Sequence, residues 1–415
     1  MDYNLYFVIV LFAIVGIYLL DLFADLLNLR ALRPELPDDF KEVFDADKYA
    51  KSQEYTRETT RFGILESTVG LGIFLIFWLV GGFGWLDGII RGWGYSEIVN
   101  GLLFFGILYA ANEIIGIPFE LYDTFVIEEK YGFNKMTVKT FFVDKVKGLV
   151  LAGVLGLPLL ALLLWLFGKY EMAWLWGWLS VTGFSLLMAY IAPKYILPLF
   201  NKFEPLENEE LKDAINKMAA KCEFPLTEVA VMDGSKRSAK SNAFFTGFGK
   251  NKKIALFDTL VEKHSVPELV AVLAHEIGHF KKKHIVQTMV LGIVQTGIIF
   301  FLIGLFMKNS ELHSAFGVEQ VSVYCSFTFF MLLFKPISKV LSVLMAILSR
   351  KNEFEADAYA SDVTGDPNSL ITALKKLSVD NLSNLTPHPL YVFMHYSHPP
   401  MTERLAALRK IAAAN

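Results

Sequence analysis

Residues 265–307 read SVPELVAVLAHEIGHFKKKHIVQTMVLGIVQTGIIFFLIGLFM. Two kinds of sequence meet in this stretch without a gap. Its second half, about 285–307, is an apolar run. A helix of about 20 apolar residues suffices to cross the ~30 Å hydrocarbon core of a bilayer. Its first half carries His275, Glu276 and His279. Between the halves stand Lys281, Lys282, Lys283 and His284. Whatever chemistry His275 to His279 performs is therefore tied to a membrane surface by a few residues.

Outward from that stretch the apolar pattern repeats. Seven segments are long enough to span, approximately 5–27, 63–85, 98–121, 148–168, 172–196, 285–307 and 321–348. The fifth trails into Pro193, Lys194 and Pro198, and the seventh carries Lys335 and Pro336 near its middle. The composition agrees: 54% of the 415 residues are hydrophobic and 20% are charged. Soluble domains average about 25% charged residues. The expected fold is mainly α: a polytopic membrane protein with seven transmembrane helices, and a polar domain with a small β element. A net charge of -3 predicts no nucleic-acid surface. Cys222 and Cys325 are far apart in the chain, so neither a disulfide framework nor a Cys-type zinc site is expected. The first apolar run follows Met1-Asp2-Tyr3-Asn4, without the basic start of a cleaved signal peptide, and reads as a retained helix.

Loop charge orients the spans, because lysine and arginine accumulate on the cytosolic side. The loop after the first span holds Arg30, Arg33, Lys41, Lys48, Lys51, Arg57 and Arg61, whereas the loop after the second holds only Arg91. Lys130, Lys135, Lys139, Lys145 and Lys147 follow the third span, and Lys169 alone follows the fourth. The segment between spans five and six is lysine-rich, and the loop between six and seven has only Lys308. The alternation places the N-terminus outside and the C-terminus inside. The chain then divides into spans one to five (1–196), a cytosolic segment with the His-Glu-x-x-His pattern (197–284), spans six and seven (285–348), and a second cytosolic segment (349–415). Segment 197–284 reads as a helix at about 205–221, short strands at about 227–232 and 253–257, and a helix from about 265. Segment 349–415 reads as helices joined by a polar loop near 379–398.

The chemistry starts from His275-Glu276-Ile277-Gly278-His279. On a helix, positions i and i+4 share a face, so both histidines can reach one metal ion. Glu276 beside them can take a proton from a water that the metal activates. Ser265 and Glu268 have capping-box spacing, and Pro267 suits a first turn. Such a pattern also arises by chance, so a third ligand is the test, since catalytic zinc takes three protein ligands and leaves one position open. Glu353-Phe354-Glu355-Ala356-Asp357 supplies candidates. Glu353 is chosen over Glu355 because Asp357, one turn on, can accept the free ring N–H of His275 and hold its tautomer. A solvated acidic helix face is the bland alternative. Position decides: His279 lies just before the sixth span and Glu353 just after the seventh, both within about 10 Å of one membrane surface at ~1.5 Å per helical residue. His284, five residues from His279, reads with the three lysines as an interfacial anchor that faces elsewhere.

Two further motifs are weaker. Ser397-His398-Pro399-Pro400 with Arg404 offers a donor for the oxyanion of a tetrahedral intermediate, His398, and a supporting charge. His388 and His395 are equally placed by spacing. Asn242-Ala243-Phe244-Phe245, followed by Thr246-Gly247-Phe248-Gly249, suggests a hairpin or exposed edge able to hold a substrate backbone, or an ordinary turn. Asp21, Glu66, Asn112, Glu113 and Lys335 lie inside the apolar segments and require a watery interior or internal ion pairs.

These motifs, with 125–135 (FVIEEKYGFNK) and 198–203 (PLFNKF), resemble the type I CAAX prenyl proteases over nearly the whole chain. The resemblance implies seven helices in a barrel around a large water-filled chamber, capped by a zinc domain. It implies one zinc ion held by His275, His279 and Glu353, Glu276 as the base, Asn242 and Ala243 aligning substrate, and His398 and Arg404 supporting the oxyanion. Members of the family remove the last three residues of prenylated CAAX proteins, and some make a second upstream cut in a peptide pheromone precursor. The expected partners are a peptide or protein substrate, prenylated in the family's manner, and the bilayer. The short loop between spans six and seven, and a C-terminus at Ala412-Ala413-Ala414-Asn415 without a retrieval signal, suggest a compact prokaryotic form, whose membrane would be the cell's inner one. A broad quality-control peptidase with the same chemistry is the alternative function, and a transporter or scaffold with a structural metal is the alternative class. Glu276 argues against the last, because a structural site has no use for a carboxylate beside the water position.

Overall fold

The computed structural model describes residues 1–246 and 252–414. Residues 247–251, which hold the Gly-rich part of the expected hairpin, and Asn415 lie outside the described residues. Seven helices among these are long and apolar enough to cross a membrane: Leu5–Ala31, Ala46–Leu79, Glu97–Tyr131, Val138–Lys169, Ala173–Phe200, His284–Phe306 and Val323–Thr364. They match the seven expected spans in order, and the differences lie at the ends.

The second helix begins at Ala46, well before the apolar run, because Asp45 caps it by accepting from Lys48 N–H at 2.7 Å. It stops at Leu79 rather than near 85, where Gly81 takes a positive φ of 79° and a separate helix, Gly82–Gly92, begins. The seventh helix runs 42 residues, through Pro336 and far past the apolar stretch, to Thr364. Spans three, four and five each contain a π-helical turn, at Asp123–Glu128, Ala152–Gly156 and Ala192–Ile196. Few side chains in the most apolar stretches of the spans are fully buried within the protein. Some of the intramembrane charges form pairs: Asp21 with Lys339 at 2.6 Å, and Glu113 with Lys145 at 3.0 Å.

Two cores cap the bundle. At one end Phe7, Trp78, Phe83, Phe316 and Phe329 pack together, with Trp78 stacked on Phe316 and Phe316 on Phe329. The N-terminus joins this end through Asp2 N–H donating to Ser314 C=O at 2.8 Å. The other core mixes three parts of the chain. Phe40, Phe44 and Tyr49 come from the loop and helix start after the first span; Leu211, Ile215, Leu256, Leu269, Leu273 and Ile277 from the middle segment; and Ala360, Leu374, Leu405 and Leu408 from the C-terminal one. The loop after the third span joins them, since Arg237 pairs with Asp144 at 2.8 Å. All the lysine-rich loops therefore gather at one end and the lysine-poor ones at the other.

The β element is a four-stranded sheet: β1 Phe203–Pro205, β2 Leu226–Met232, β3 Ala243–Thr246 and β4 Lys252–Phe257, in the order β1-β2-β4-β3. β2 and β4 are parallel, and the other two pairs are antiparallel. β3 is an edge strand, as Asn242-Ala243 suggested.

Candidate active site

The motif helix, Val266–Lys281, starts with the expected capping box: Glu268 accepts from Ser265 N–H at 3.0 Å, and Pro267 sits in the first turn. Its apolar face, Leu269, Leu273 and Ile277, is buried in the core, and this turns His275 and His279 toward the helix Val323–Thr364. The approach is close because a glycine allows it. A Cβ on Gly278 would lie 3.1 Å from the Ala356 Cα and 3.2 Å from its carbonyl oxygen.

His275 Nε2 and His279 Nε2 are 3.2 Å apart. Glu353 reaches both, with Oε2 3.4 Å from His275 and Oε1 3.3 Å from His279. One ligand atom from each of these three residues lies within 4.8 Å of the others. Glu353 Oε2 is buried and makes no well-formed hydrogen bond, although Arg404 lies 3.3 Å and His275 3.4 Å away, so it keeps acceptor capacity for a metal ion. The charges point the same way. Glu353 and Asp357 share the Arg404 guanidinium, and against the opposing effect of burial they push the His275 pKa up to about 9, so the cluster attracts added positive charge. The residues present fit a metal.

Behind the three ligands, Asp357 accepts from His275 Nδ1 at 2.8 Å and is only 1% exposed. Arg404 holds Asp357 through two bonds, Nε to Oδ2 at 2.8 Å and NH2 to Oδ1 at 2.6 Å, and lies 3.3 Å from Glu353 Oε2. Arg404 is thus spent on the carboxylates behind the ligands, and its charge reaches the site through them. Glu276 lines the cavity described below, and burial pushes its carboxyl above the usual carboxylate range.

The three C-terminal histidines separate. His388 Nδ1 accepts from Leu390 N–H at 3.2 Å and caps the helix Pro389–His395. His395 faces Asp21 at 3.5 Å. His398 comes within 3.4 Å of Glu353, with its side chain largely exposed to the site. Arg350, one turn before Glu353, steadies this loop by donating to the carbonyls of Val392 and Tyr396.

These groups open on a cavity of about 1050 Å³. One wall is apolar, from Phe244, Phe245, Ile285, Met289, Met345 and Leu348, and Lys339 lies in the wall as well. The wall therefore joins the β3 edge to the sixth and seventh spans. Asn242 is exposed at the head of that edge, with its Oδ1 accepting from Ala243 N–H at 2.8 Å.

One reading is corrected. His284 is not an outward-facing anchor: it is buried, lines the cavity, and sits with Nδ1 3.1 Å from His279 Nδ1. The motif helix does not continue through it. Lys283 adopts a left-handed φ of 61°, which ends one helix and restarts another at His284, so counting 3.6 residues per turn across the break gives the wrong face. Glu355, the rejected ligand, is 3.2 Å from His284 Nε2. A cluster of lysines ending in histidine was the available signal, but nothing in it marks a reversal of helix phase.

Two family descriptions match in tandem: CAAX prenyl protease N-terminal, five membrane helices, over residues 25–202, and Peptidase family M48 over residues 205–412. CAAX prenyl protease 1 of Saccharomyces cerevisiae is 37% identical over 403 residues, taking in 90% of this chain and 88% of the yeast protein. The CAAX prenyl protease 1 homolog of Oryza sativa subsp. japonica is 36% identical, with 94% of each chain covered. The crystal structure of S. mikatae Ste24p superposes with a TM-score of 0.93 at 34% identity, covering 98% of this chain and 100% of that one.

Proposed function

The chain belongs to the CAAX prenyl protease family within peptidase family M48 and is a multi-pass membrane metallopeptidase acting on protein or peptide substrates; we propose that it uses one zinc ion to cut prenylated CAAX-type proteins near their C-terminus, at the cytosolic face of its membrane. The observation that carries the substrate reading is the shape of the cavity. An apolar wall built from two spans adjoins the ligand cluster, so a lipid chain and the peptide attached to it can occupy one enclosure. The orientation reading rests on the gathering of every lysine-rich loop at the end that holds the site.

His275, His279 and Glu353 hold the metal. Zinc bound there supplies Lewis acidity, polarising a substrate carbonyl and lowering the pKa of a water. Glu276 takes the proton from the attacking water and passes it to the leaving amine. Its raised pKa suits that exchange, because a base poised closer to neutrality also serves as an acid. His398, beside Glu353, donates a ring N–H to the oxyanion as the carbonyl becomes tetrahedral. Asp357 fixes His275 as the Nε2-coordinating tautomer, and Arg404 holds Asp357 in place. Ala243 and the exposed edge of β3 align the substrate backbone as an added strand, with Asn242 at its start.

The test compares one C-terminal peptide in farnesylated and bare forms, with wild-type protein and Glu276→Gln, at constant zinc and detergent. We expect wild type to cleave the farnesylated peptide near its end with the higher kcat/KM. Glu276→Gln should keep its zinc and lose at least ~10²–10⁴-fold in rate. Equal cleavage by Glu276→Gln removes that residue from the mechanism. A bare peptide cut as well as the farnesylated one transfers the assignment to a quality-control peptidase with the same chemistry.

A further inference from the structure

A further polar contact at the site, not used by the proposed mechanism, joins His279 to His284. His279 turns Nε2 toward His275 and Glu353, so its proton sits on Nδ1. Nδ1 lies 3.1 Å from the Nδ1 of His284. Two ring nitrogens at that separation need one proton between them, and His279 supplies it. His284 Nδ1 is then the acceptor, and the proton of His284 is on Nε2. That nitrogen faces Glu355 Oε2 at 3.2 Å. One assignment satisfies both contacts and leaves the Nε2 lone pairs of His275 and His279 facing each other, as shared metal ligands require: His279 Nδ1–H donates to His284, and His284 Nε2–H donates to the Glu355 carboxylate.

The arrangement mirrors the other side of the site. Asp357 accepts directly from His275 Nδ1 at 2.8 Å. Glu355 stands two residues earlier on the same helix, and successive residues two apart point to different sides. The carboxylate on that side is too far to reach His279 directly, and His284 spans the distance. Its imidazole is buried at 4% exposure, held there by the helix restart after Lys283. The other charged group on Glu355 is Lys351, at 3.6 Å and well exposed.

We propose that His284 and Glu355 form a positioning pair that fixes the tautomer and ring plane of His279, so that its Nε2 is presented to the metal. The inference rests on His279 being a metal ligand. The pair raises metal affinity without touching metal or substrate, and partners of this kind are worth on the order of 10–100-fold in affinity. His284→Asn retains a side-chain oxygen where His284 Nδ1 now accepts, whereas His284→Ala retains nothing.

The test measures zinc affinity of the purified full-length protein in detergent by competition with a chromophoric chelator. The melting temperature of each metal-free variant is recorded beside it. We expect His284→Ala to weaken zinc about 10–100-fold, His284→Asn to recover most of that loss, and Glu355→Gln to weaken it by up to about 10-fold. Lys351→Ala should match wild type. In the His284→Ala background, Glu355→Gln should have no further effect, because its path to His279 is already cut. Metal-free melting temperatures should not track the affinities. The proposal is overturned if His284→Ala binds zinc as wild type does, if His284→Asn is as weak as His284→Ala, or if the two losses multiply. His279→Ala separates the two levels of inference. If it keeps wild-type affinity, the ligand assignment fails and this proposal with it. If it loses zinc while the His284 and Glu355 variants do not, only the positioning pair is wrong.

Discussion

Gly278→Ala adds one methyl group where the motif helix meets the helix bearing Glu353. That methyl carbon would lie 3.1 Å from Ala356 Cα, 3.2 Å from Ala356 O and 3.2 Å from the Tyr359 ring. Comfortable carbon–carbon contact begins at about 3.5–4.0 Å. Two of the three obstacles are backbone atoms, so the helices must part by roughly 0.4–0.8 Å. Overpacking of this size costs ~1–3 kcal/mol. Replacing a helical glycine with alanine returns ~0.8–1.0 kcal/mol. The metal-free protein should therefore lose about 0–2 kcal/mol, a modest change.

The metal site should suffer more. Ligand positions tolerate displacements of about 0.2 Å, and His279 follows Gly278 directly while Asp357 follows Ala356. We expect zinc affinity to fall about 10-fold or more, equivalent to ~1.4 kcal/mol, with activity falling alongside it at limiting zinc. Chelator competition gives the affinity, and thermal unfolding of the metal-free protein in detergent gives the stability. Gly63→Ala is the control, since a Cβ there meets nothing within 4 Å, and it should leave zinc affinity unchanged. A Gly278→Ala protein that gains the full ~1 kcal/mol of helix propensity and binds zinc as before would refute the close-approach argument.

Glu353→Ala should remove measurable zinc binding, whereas Glu355→Ala should cost no more than the ~10-fold assigned to its hydrogen bond, as read by metal content after dialysis. Cysteines placed in 30–61 and 380–395 should react with an impermeant thiol reagent only after the membrane is opened, and those in 308–318 should react before; the opposite pattern would put the site outside. Acid should destabilise the protein in two stages. Burial depresses the His264 pKa below its ordinary 6.5, so stability declines as pH falls from about 6.5 toward the folded value, and His264→Leu should flatten that stage. Burial pushes Glu268 up, but Lys376 at 2.7 Å and the Ser265 N–H more than offset this and hold it below its ordinary 4.5. Its contribution is complete above 4.5 and is lost as pH falls further, which melting temperatures from pH 7 to 3 would follow.

The spans, their number and the shared face of His275 and His279 were legible because each depends on local pattern, and the meeting of Glu353 with them followed from the order of the spans. A run of some 20 apolar residues has one reading, and i,i+4 histidines share a face whatever surrounds the helix. Span ends were less legible. Helix 46–79 and helix 323–364 extend well beyond their apolar runs, because a cap and a protein surface sustain a helix after lipid no longer does. His284 was misread for a different reason. Its direction follows from one backbone angle at Lys283, and lysine carries no signature of a left-handed residue. Arg404 was found by its motif, but its placement behind Asp357 depends on contacts between residues 47 apart. Spacing does not encode such contacts. Among His388, His395 and His398 the chain offered no choice, and only the fold brings His398 to Glu353.

The long seventh helix explains why the site and the membrane cannot be separated. Phe334 belongs to the core at the far end of the bundle, and Glu353, Asp357 and Ala360 belong to the peptidase end, all on one unbroken helix. At ~1.5 Å per residue, the 14 residues from Lys339 to Glu353 span about 21 Å, so the cavity wall reaches far into the apolar zone from a ligand fixed at its rim. The sixth span has the opposite design. It breaks at Lys283, and beyond the break the motif helix packs against the part of the seventh helix that extends past its apolar run. Glu353 thus lies on a helix continuous with the membrane bundle, His275 and His279 lie on a helix set off from its span by a break, and the close approach of Gly278 to Ala356 joins the two. The candidate ligands therefore meet at the depth where these two helices touch. A lipid anchor would hold its substrate at that depth.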